Sequence, residues 1–143
     1  MKYFENQTII VPFDFSEPCV DAVETALKLA KSPADVHVVH VLQSLATGHP
    51  YSEWDEECEQ KRLPTARSSM EEKLKDLQIE NVCLDVAIGN AGNAVAGLAK
   101  EIDAGLIIIP SHGKRGVQRM LLGSVTERVV RLAPCPVLVL KHE

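Results

Sequence analysis

The stretch Leu106 to Val125, LIIIPSHGKRGVQRMLLGSV, decides the fold. Its opening run, Leu106 to Ile109, is continuously apolar, as in a strand buried on both faces of a parallel sheet. Its end, near Ser124, begins a helical pattern. Between them lie three glycines (Gly113, Gly116, Gly123), three cations (Lys114, Arg115, Arg119) and His112. A strand that feeds a glycine-bearing loop and then a helix N-terminus is a means of holding phosphate. Glycine lets backbone N–H groups approach an anion, and the helix end supplies unsatisfied donors and positive dipole. Ser124-Val-Thr-Glu127 also matches the S-x-x-E capping box, so the Ser124 hydroxyl has a competing role as a helix cap.

Outward from this stretch, strands and helices alternate. The last helix runs to about Ala133, where Pro134-Cys135-Pro136 forces extended backbone before a strand at Val137 to Leu140. Upstream, Asn93 is a candidate cap for a helix carrying Val95, Leu98, Ala99 and Ile102. Gly97 weakens that helix unless close packing wants a bare position. Val82 to Ile88 reads as a strand ended by Gly89. Thr8 to Val11 reads as the first strand, with Ser16 capping a helix that tolerates Pro18 and runs to about Lys31. Val36 to Leu42 is the second strand. Ser44 to Arg62 reads as a mobile loop and a short helix, and Pro64 restarts a helix with Met70, Leu74 and Leu77 on one face. The order βαβαβαβαβ predicts an α/β fold: one domain over residues 1–143, a doubly wound parallel sheet with helices on both faces.

Composition narrows the function. A net charge of -5 argues against a nucleic-acid binder. No apolar run reaches membrane-spanning length, and MKYFENQT lacks the apolar core of a signal peptide. Cys19, Cys58, Cys83 and Cys135 form no CxxC and no metal spacing, which favours a reducing cytoplasm and cysteines that serve as small apolar residues. The acidic cluster Glu53, Asp55, Glu56, Glu57 and Glu59 reads as a solvated face, with Trp54 as a partner anchor or a cover for the core edge.

Ligands of doubly wound sheets sit beyond the carboxyl ends of the strands, at the switch point of strand order. Pro12, Phe13 and Asp14 follow the first strand. Asp14 can meet a ribose hydroxyl or a phosphate-bound metal, or serve only as a turn residue. The second strand ends in His40-Val41-Leu42, where a strand-end backbone N–H and C=O can read an adenine edge, while the His40 and His37 side chains read as structural. After the fourth strand, Gly113, Gly123 and Ser124 can converge into an anion nest. His112 lacks a Ser or Cys nucleophile to form a triad. The P-loop, the G-x-G-x-x-G fingerprint and the G-x-S-x-G elbow are absent, and a receiver-domain phosphoacceptor is missing after Ile88.

With IIVPFDFSE at 9–17, VHVVHVL at 36–42 and IIIPSHGKRGVQRMLLGSVTERVVRLAPCPVLVLK at 107–141, the chain resembles the universal stress protein family. The resemblance implies five parallel strands in the order 3-2-1-4-5 and cytoplasmic homodimers formed through the last strand, Val137 to Leu140. It also implies ATP, with Mg²⁺ as its companion ion, in members carrying G-x2-G-x9-G-[ST]. Gly113 and Gly123-Ser124 fit the later elements of that pattern, and Pro110 replaces its first glycine. By this resemblance Asp14 and Val41 meet adenosine, and Gly113, Gly123, Ser124 and Val125 meet phosphates. Pro12, Phe13, Pro110 and His112 complete the candidate set. The expected function is a nucleotide-dependent stress-response regulator without a placed general base; slow hydrolysis stays open. A nucleotide-free dimeric interaction protein, with Pro110 blocking the pocket, is the alternative, and an adenylyl-transfer enzyme is a third. No nucleic-acid or membrane partner is expected.

Overall fold

A β-branched run alternates its side chains between two faces, so each strand can feed two cores. The computed structural model describes residues 7–44, 56–113 and 121–141. Five strands, β1 (Ile9–Pro12), β2 (Val36–Leu42), β3 (Cys83–Ile88), β4 (Leu106–Pro110) and β5 (Val137–Leu140), alternate with α1 (Glu17–Leu29), α2 (Glu56–Asp76), α3 (Ala91–Glu101) and α4 (Ser124–Leu132). The strands form one parallel sheet in the order β3-β2-β1-β4-β5. Ile9, Val11, Val36, Val38 and Ile108 face one side, where Ala22, Val23 and Ala26 of α1 and Met70 and Leu74 of α2 close the core. Ile10, Val39, Ile107 and Ile109 face the other, under Val95 and Ala99 of α3 and Val129 of α4. The expected doubly wound sheet, its strand order and its two helical layers are therefore all present.

Several boundaries differ from the sequence reading. β1 and β4 each extend to a proline, Pro12 and Pro110, and β3 starts at Cys83. α1 ends at Leu29, two residues short of Lys31. α2 is one helix that runs straight through Pro64. Proline deprives the Gln60 carbonyl of its helical donor, but Gln60 and Pro64 both lie on the exposed side, where water can replace that bond. The α3 cap is Asn90, whose side chain accepts from the Asn93 N–H at 3.0 Å; Asn93 is inside the helix. Of the stretch Ser44 to Arg62, read as a mobile loop and a short helix, residues 45–55 lie outside the described residues, and with them Glu53, Trp54 and Asp55; Glu56, Glu57 and Glu59 fall in the first turn of α2. Among the described residues, no helix is long and apolar enough to cross a membrane.

The two α3 glycines divide the roles that the sequence assigned to one. Gly97 is exposed, and a Cβ there would meet nothing within 4 Å. Gly92 is buried, and a Cβ there would fall 2.7 Å from the Arg128 side chain on α4. Gly92 thus sets the close approach of α3 and α4. In urea unfolding, Gly97→Ala is expected to gain about 0.5–1 kcal/mol through helix propensity, and Gly92→Ala to lose stability. Equal effects at the two positions would contradict this assignment.

The sheet opens a crevice where its winding reverses. β1 stays registered with β2 up to Pro12↔Val39, and the Phe13 N–H donates to the Val39 carbonyl at 2.7 Å. Its pairing with β4 stops at Ile10↔Ile107. Beyond that point β1 and β4 part, leaving space at their carboxyl ends.

Candidate functional site

That space is a cavity of about 470 Å³, within the usual range for small-molecule sites. All ten candidates line it. Pro12, Phe13 and Asp14 come from the end of β1 and Val41 from the end of β2. Pro110, His112 and Gly113 follow from β4, and Gly123, Ser124 and Val125 lead into α4. The cations Lys114, Arg115 and Arg119, and Gly116, lie outside the described residues.

Asp14 is fixed by its own turn. Its Oδ1 accepts the Ser16 N–H at 3.0 Å, a bond that closes an Asx turn around Phe15. Phe15 adopts φ 67°, in the left-handed region. For a bulky side chain that conformation costs on the order of 1–3 kcal/mol and is retained where surrounding structure enforces it. The enforcement is visible: the Phe15 ring packs against Phe13 at 5.1 Å and edge-on to His40 at 5.0 Å. His40 Nδ1 in turn donates to the Phe13 carbonyl at 2.7 Å, so Nδ1 carries the hydrogen. The structural reading of His40 holds, although its ring also borders the cavity. His37, the other histidine read as structural, pairs through Nδ1 with Asp85 at 2.9 Å.

Ser16 occupies the α1 N-cap position without a side-chain capping bond, contrary to expectation. Pro18 removes one of the two donors a cap would serve, and the Ser16 Oγ is buried with no hydrogen-bond partner among the described residues.

Across the crevice, Gly113 lies against Asp14. A Cβ on Gly113 would stand 2.8 Å from Asp14 Oδ2. The Gly123 N–H donates to the Ser111 carbonyl at 2.7 Å and draws the two ends of the intervening loop together. This corrects the expected nest, because the Gly123 amide is consumed within the protein. The capping box is also absent. Gly123 is the N-cap of α4, no side chain caps the helix, and Ser124 is its first residue. Glu127 instead bonds Arg131 one turn on. Backbone N–H groups of Ser124, Val125 and Thr126 are the leading donors of an α-helix and have no intrahelical acceptors. Ser124 and Val125 are exposed at the cavity mouth. The donor set therefore moves from the glycines to the first turn of α4, where the helix dipole adds to it.

Pro110 forms part of the wall and does not fill the cavity. Ile107 and Ser111 direct their N–H groups to β5, at 3.0 Å from Pro136 O and 2.8 Å from Leu140 O. N–H direction alternates along a strand, so position 110 faces β1, where pairing has already ended. Proline there sacrifices no ladder bond. Its carbonyl accepts the buried Thr126 hydroxyl at 2.8 Å, which ties β4 to the first turn of α4.

The other end of the cavity is apolar, with Val39, Ala91, Val95 and Ile109. The sequence reading did not place these four in the site. The period-two link of Val39 to Val41 and the four-residue spacing of Ala91 and Val95 were the available signals. Cys19 and Thr126 also line the cavity, and no local pattern marks them. Burial, reinforced by hydrogen bonding to the Asp14 carboxylate, pushes the Cys19 thiol up from its ordinary 9.0 to about 12. The folded state thus holds this proton more tightly than the unfolded chain. Its contribution is complete below pH 9.0 and is lost as pH rises toward about 12. Melting curves across that window are expected to fall more steeply for the native chain than for Cys19→Ala; parallel curves would contradict the assignment.

The universal stress protein family model matches residues 5–141. The chain belongs to the universal stress protein family. It is 33% identical over 138 residues to universal stress protein MJ0531 of Methanocaldococcus jannaschii, covering 93% of this chain and 81% of that one. The solved structure of MJ0577 from the same organism superposes with a TM-score of 0.78 at 29% identity, covering 96% of this chain and 97% of the other. A universal stress protein solved in complex with cAMP shares the fold, with a TM-score of 0.64 at 20% identity and coverage of 96% and 98%. In this universal stress protein the crevice brings together an uncapped helix start, an acidic side chain and an apolar floor.

Proposed function

We propose that this universal stress protein binds an adenine nucleotide, ATP with Mg²⁺, in the β1/β4 crevice and acts as a nucleotide-dependent regulator in the cytoplasm. One observation carries the reading: the uncapped first turn of α4 opens onto a cavity with Asp14 on one wall and an apolar floor. The chemistry of a nucleotide fits that division. Phosphate matches the N–H groups of Ser124, Val125 and Thr126. Ribose hydroxyls match the Asp14 carboxylate, and a planar base matches the apolar end beside the Val41 backbone. Pro12 and Phe13 shape the β1 side, and Gly113 and Gly123 keep the phosphate side open. The cAMP complex of a family member is consistent with an adenine ligand. Mg²⁺ would neutralise phosphate charge and arrive with the nucleotide.

Binding is proposed in preference to rapid turnover. The Cys19 thiol on the cavity wall is held protonated, which removes it as a ready nucleophile. The test is to purify the protein, release small molecules by denaturation and identify them by mass. A stoichiometric adenine nucleotide supports the reading. No released nucleotide, together with no calorimetric signal at millimolar Mg²⁺·ATP, would refute it.

We further propose a homodimer through β5. This strand pairs β4 on one side only, and the nearby apolar residues Leu138, Val130 and Leu132 are 39%, 45% and 47% exposed. An unpaired apolar edge needs a cover. Leu138→Lys is expected to convert the dimer to monomer by light scattering; an unchanged mass would contradict this interface.

A further inference from the structure

We infer that Arg67 guards the second open edge of the sheet against pairing with another copy of this chain, and so confines association to β5. The inference rests on the β5 reading above only for the edge that is left open. A five-stranded sheet has two edges, and β3 is the other one: among the described residues β2 is its only strand neighbour. Along a strand, each residue turns its N–H and C=O to the same side, and that side alternates. The Gly89 N–H donates to the Leu42 carbonyl, so the odd-numbered residues of β3 face β2. Leu84, Val86 and Ile88 therefore present their peptide groups to the open side. There Arg67 of α2 donates from Nη1 to the Leu84 carbonyl at 2.9 Å. Its Nε lies 3.6 Å from Glu71 Oε1, one turn on, a pairing that orients the guanidinium.

The edge needs such a guard. Val82 to Ile88, VCLDVAI, is apolar but for Asp85, and the Asp85 carboxylate pairs with His37 at 2.9 Å. A segment of that kind on an open edge is a template for another strand. Turned about a two-fold axis, Leu84, Val86 and Ile88 meet the same residues of a second copy as an antiparallel pair, with N–H opposite C=O. Together with pairing through β5, this contact would link dimers without limit, because two-fold contacts at opposite ends of one sheet generate an open chain. The guanidinium interrupts it by occupying the Leu84 carbonyl and placing a charge where the partner strand would lie. β5 carries no such device. Ile107 and Ser111 bond Pro136 O and Leu140 O, which leaves the Val137 and Val139 peptide groups outward, and among the described residues no side chain bonds to them. Arg67 and Glu71 are 52% and 59% exposed. An ion pair so exposed adds little to stability, so the effect of Arg67 falls on association.

Light scattering on Arg67→Ala tests this, with Arg67→Lys as the conservative variant that keeps a cationic donor. The site is on the surface of a helix and tolerates both changes. Arg67→Ala is expected to grow with concentration to at least about twice the native mass, and Arg67→Lys to keep the native mass. Hydrogen exchange locates the contact: the Leu84, Val86 and Ile88 amides should become protected in assembled Arg67→Ala. Growth with those amides exchanging as in the native chain would place the contact elsewhere and overturn the inference. So would a native mass for Arg67→Ala at millimolar protein. The Leu138→Lys background separates this from the β5 reading. There Arg67→Ala is expected to stop at pairs, since the β3 edge alone is left. If Leu138→Lys keeps the native mass while Arg67→Ala still assembles through β3, the β5 reading falls and the guard stands.

Discussion

Gly113→Ala is expected to weaken Mg²⁺·ATP binding by about 10- to 150-fold, the worth of a hydrogen bond to a charged group. The added Cβ would stand 2.8 Å from Asp14 Oδ2, a separation that side chains do not tolerate. Something must move, and the Asp14 carboxylate, at the end of a rotatable side chain, moves more easily than backbone. Its displacement takes the acceptor away from the proposed ribose position and disturbs the Oδ1 bond to Ser16 N–H. The fold should survive, because Gly113 lies at the cavity rim and outside both hydrophobic clusters. Asp14→Ala should cause a loss of similar size. The double variant should be little worse than either single one, since both remove the same interaction. Calorimetry on the three variants checks this, and additive losses would show that Gly113 acts independently of Asp14.

Ile10→Ala is expected to destabilise the protein by about 2–5 kcal/mol. β1 is the central strand, and Ile10 is fully buried between His37 of β2 and Ile107 of β4 in the register. It belongs to the core shared by α3 and α4. A loss of that size is a large part of the stability of a domain of this length. Leu29→Ala is the matched control: Leu29 is 56% exposed, so its truncation should change stability by no more than about 0.5 kcal/mol. Urea unfolding of both variants measures the difference.

The fold was legible because hydrophobic runs and punctuation agree. Four-residue apolar runs at β1, β4 and β5 sit between helices with clear apolar stripes, and Gly89, at φ 139°, ends β3 where only glycine is comfortable. The strand order came from resemblance, since alternation alone does not say which strands neighbour each other. The misplacements share one cause: local rules compete, and tertiary contacts decide among them. Asn90 and Asn93 are both good caps, and the chain path selects Asn90. Pro64 is a helix breaker by rule, but an exposed carbonyl one turn earlier tolerates it. Ser124-x-x-Glu127 satisfies a capping pattern, but the helix starts one residue earlier, with Gly123 as its N-cap and its N–H bonded to Ser111 O, and Glu127 pairs with Arg131.

The site divides in the same way. Asp14, Gly113 and Ser124 lie in motifs and could be found from sequence. Cys19 and Thr126 reach the cavity only because α1 and α4 pack where they do. The significance of Pro110 depended on which edge of β4 its nitrogen faces, which no one-dimensional pattern contains. The structure turns it from a suspected obstacle into a wall residue whose carbonyl anchors Thr126.

The central claim is that nucleotide phosphate sits on the first turn of α4. The most direct measurement is a ¹⁵N–¹H spectrum of the assigned, nucleotide-free protein titrated with Mg²⁺·ATP. The account predicts that the largest shifts fall on the amides of Ser124, Val125 and Thr126, with Gly113 and the Asp14–Ser16 turn following at the same midpoint. Saturable shifts elsewhere with those amides unmoved, or no shifts at millimolar nucleotide, would contradict it.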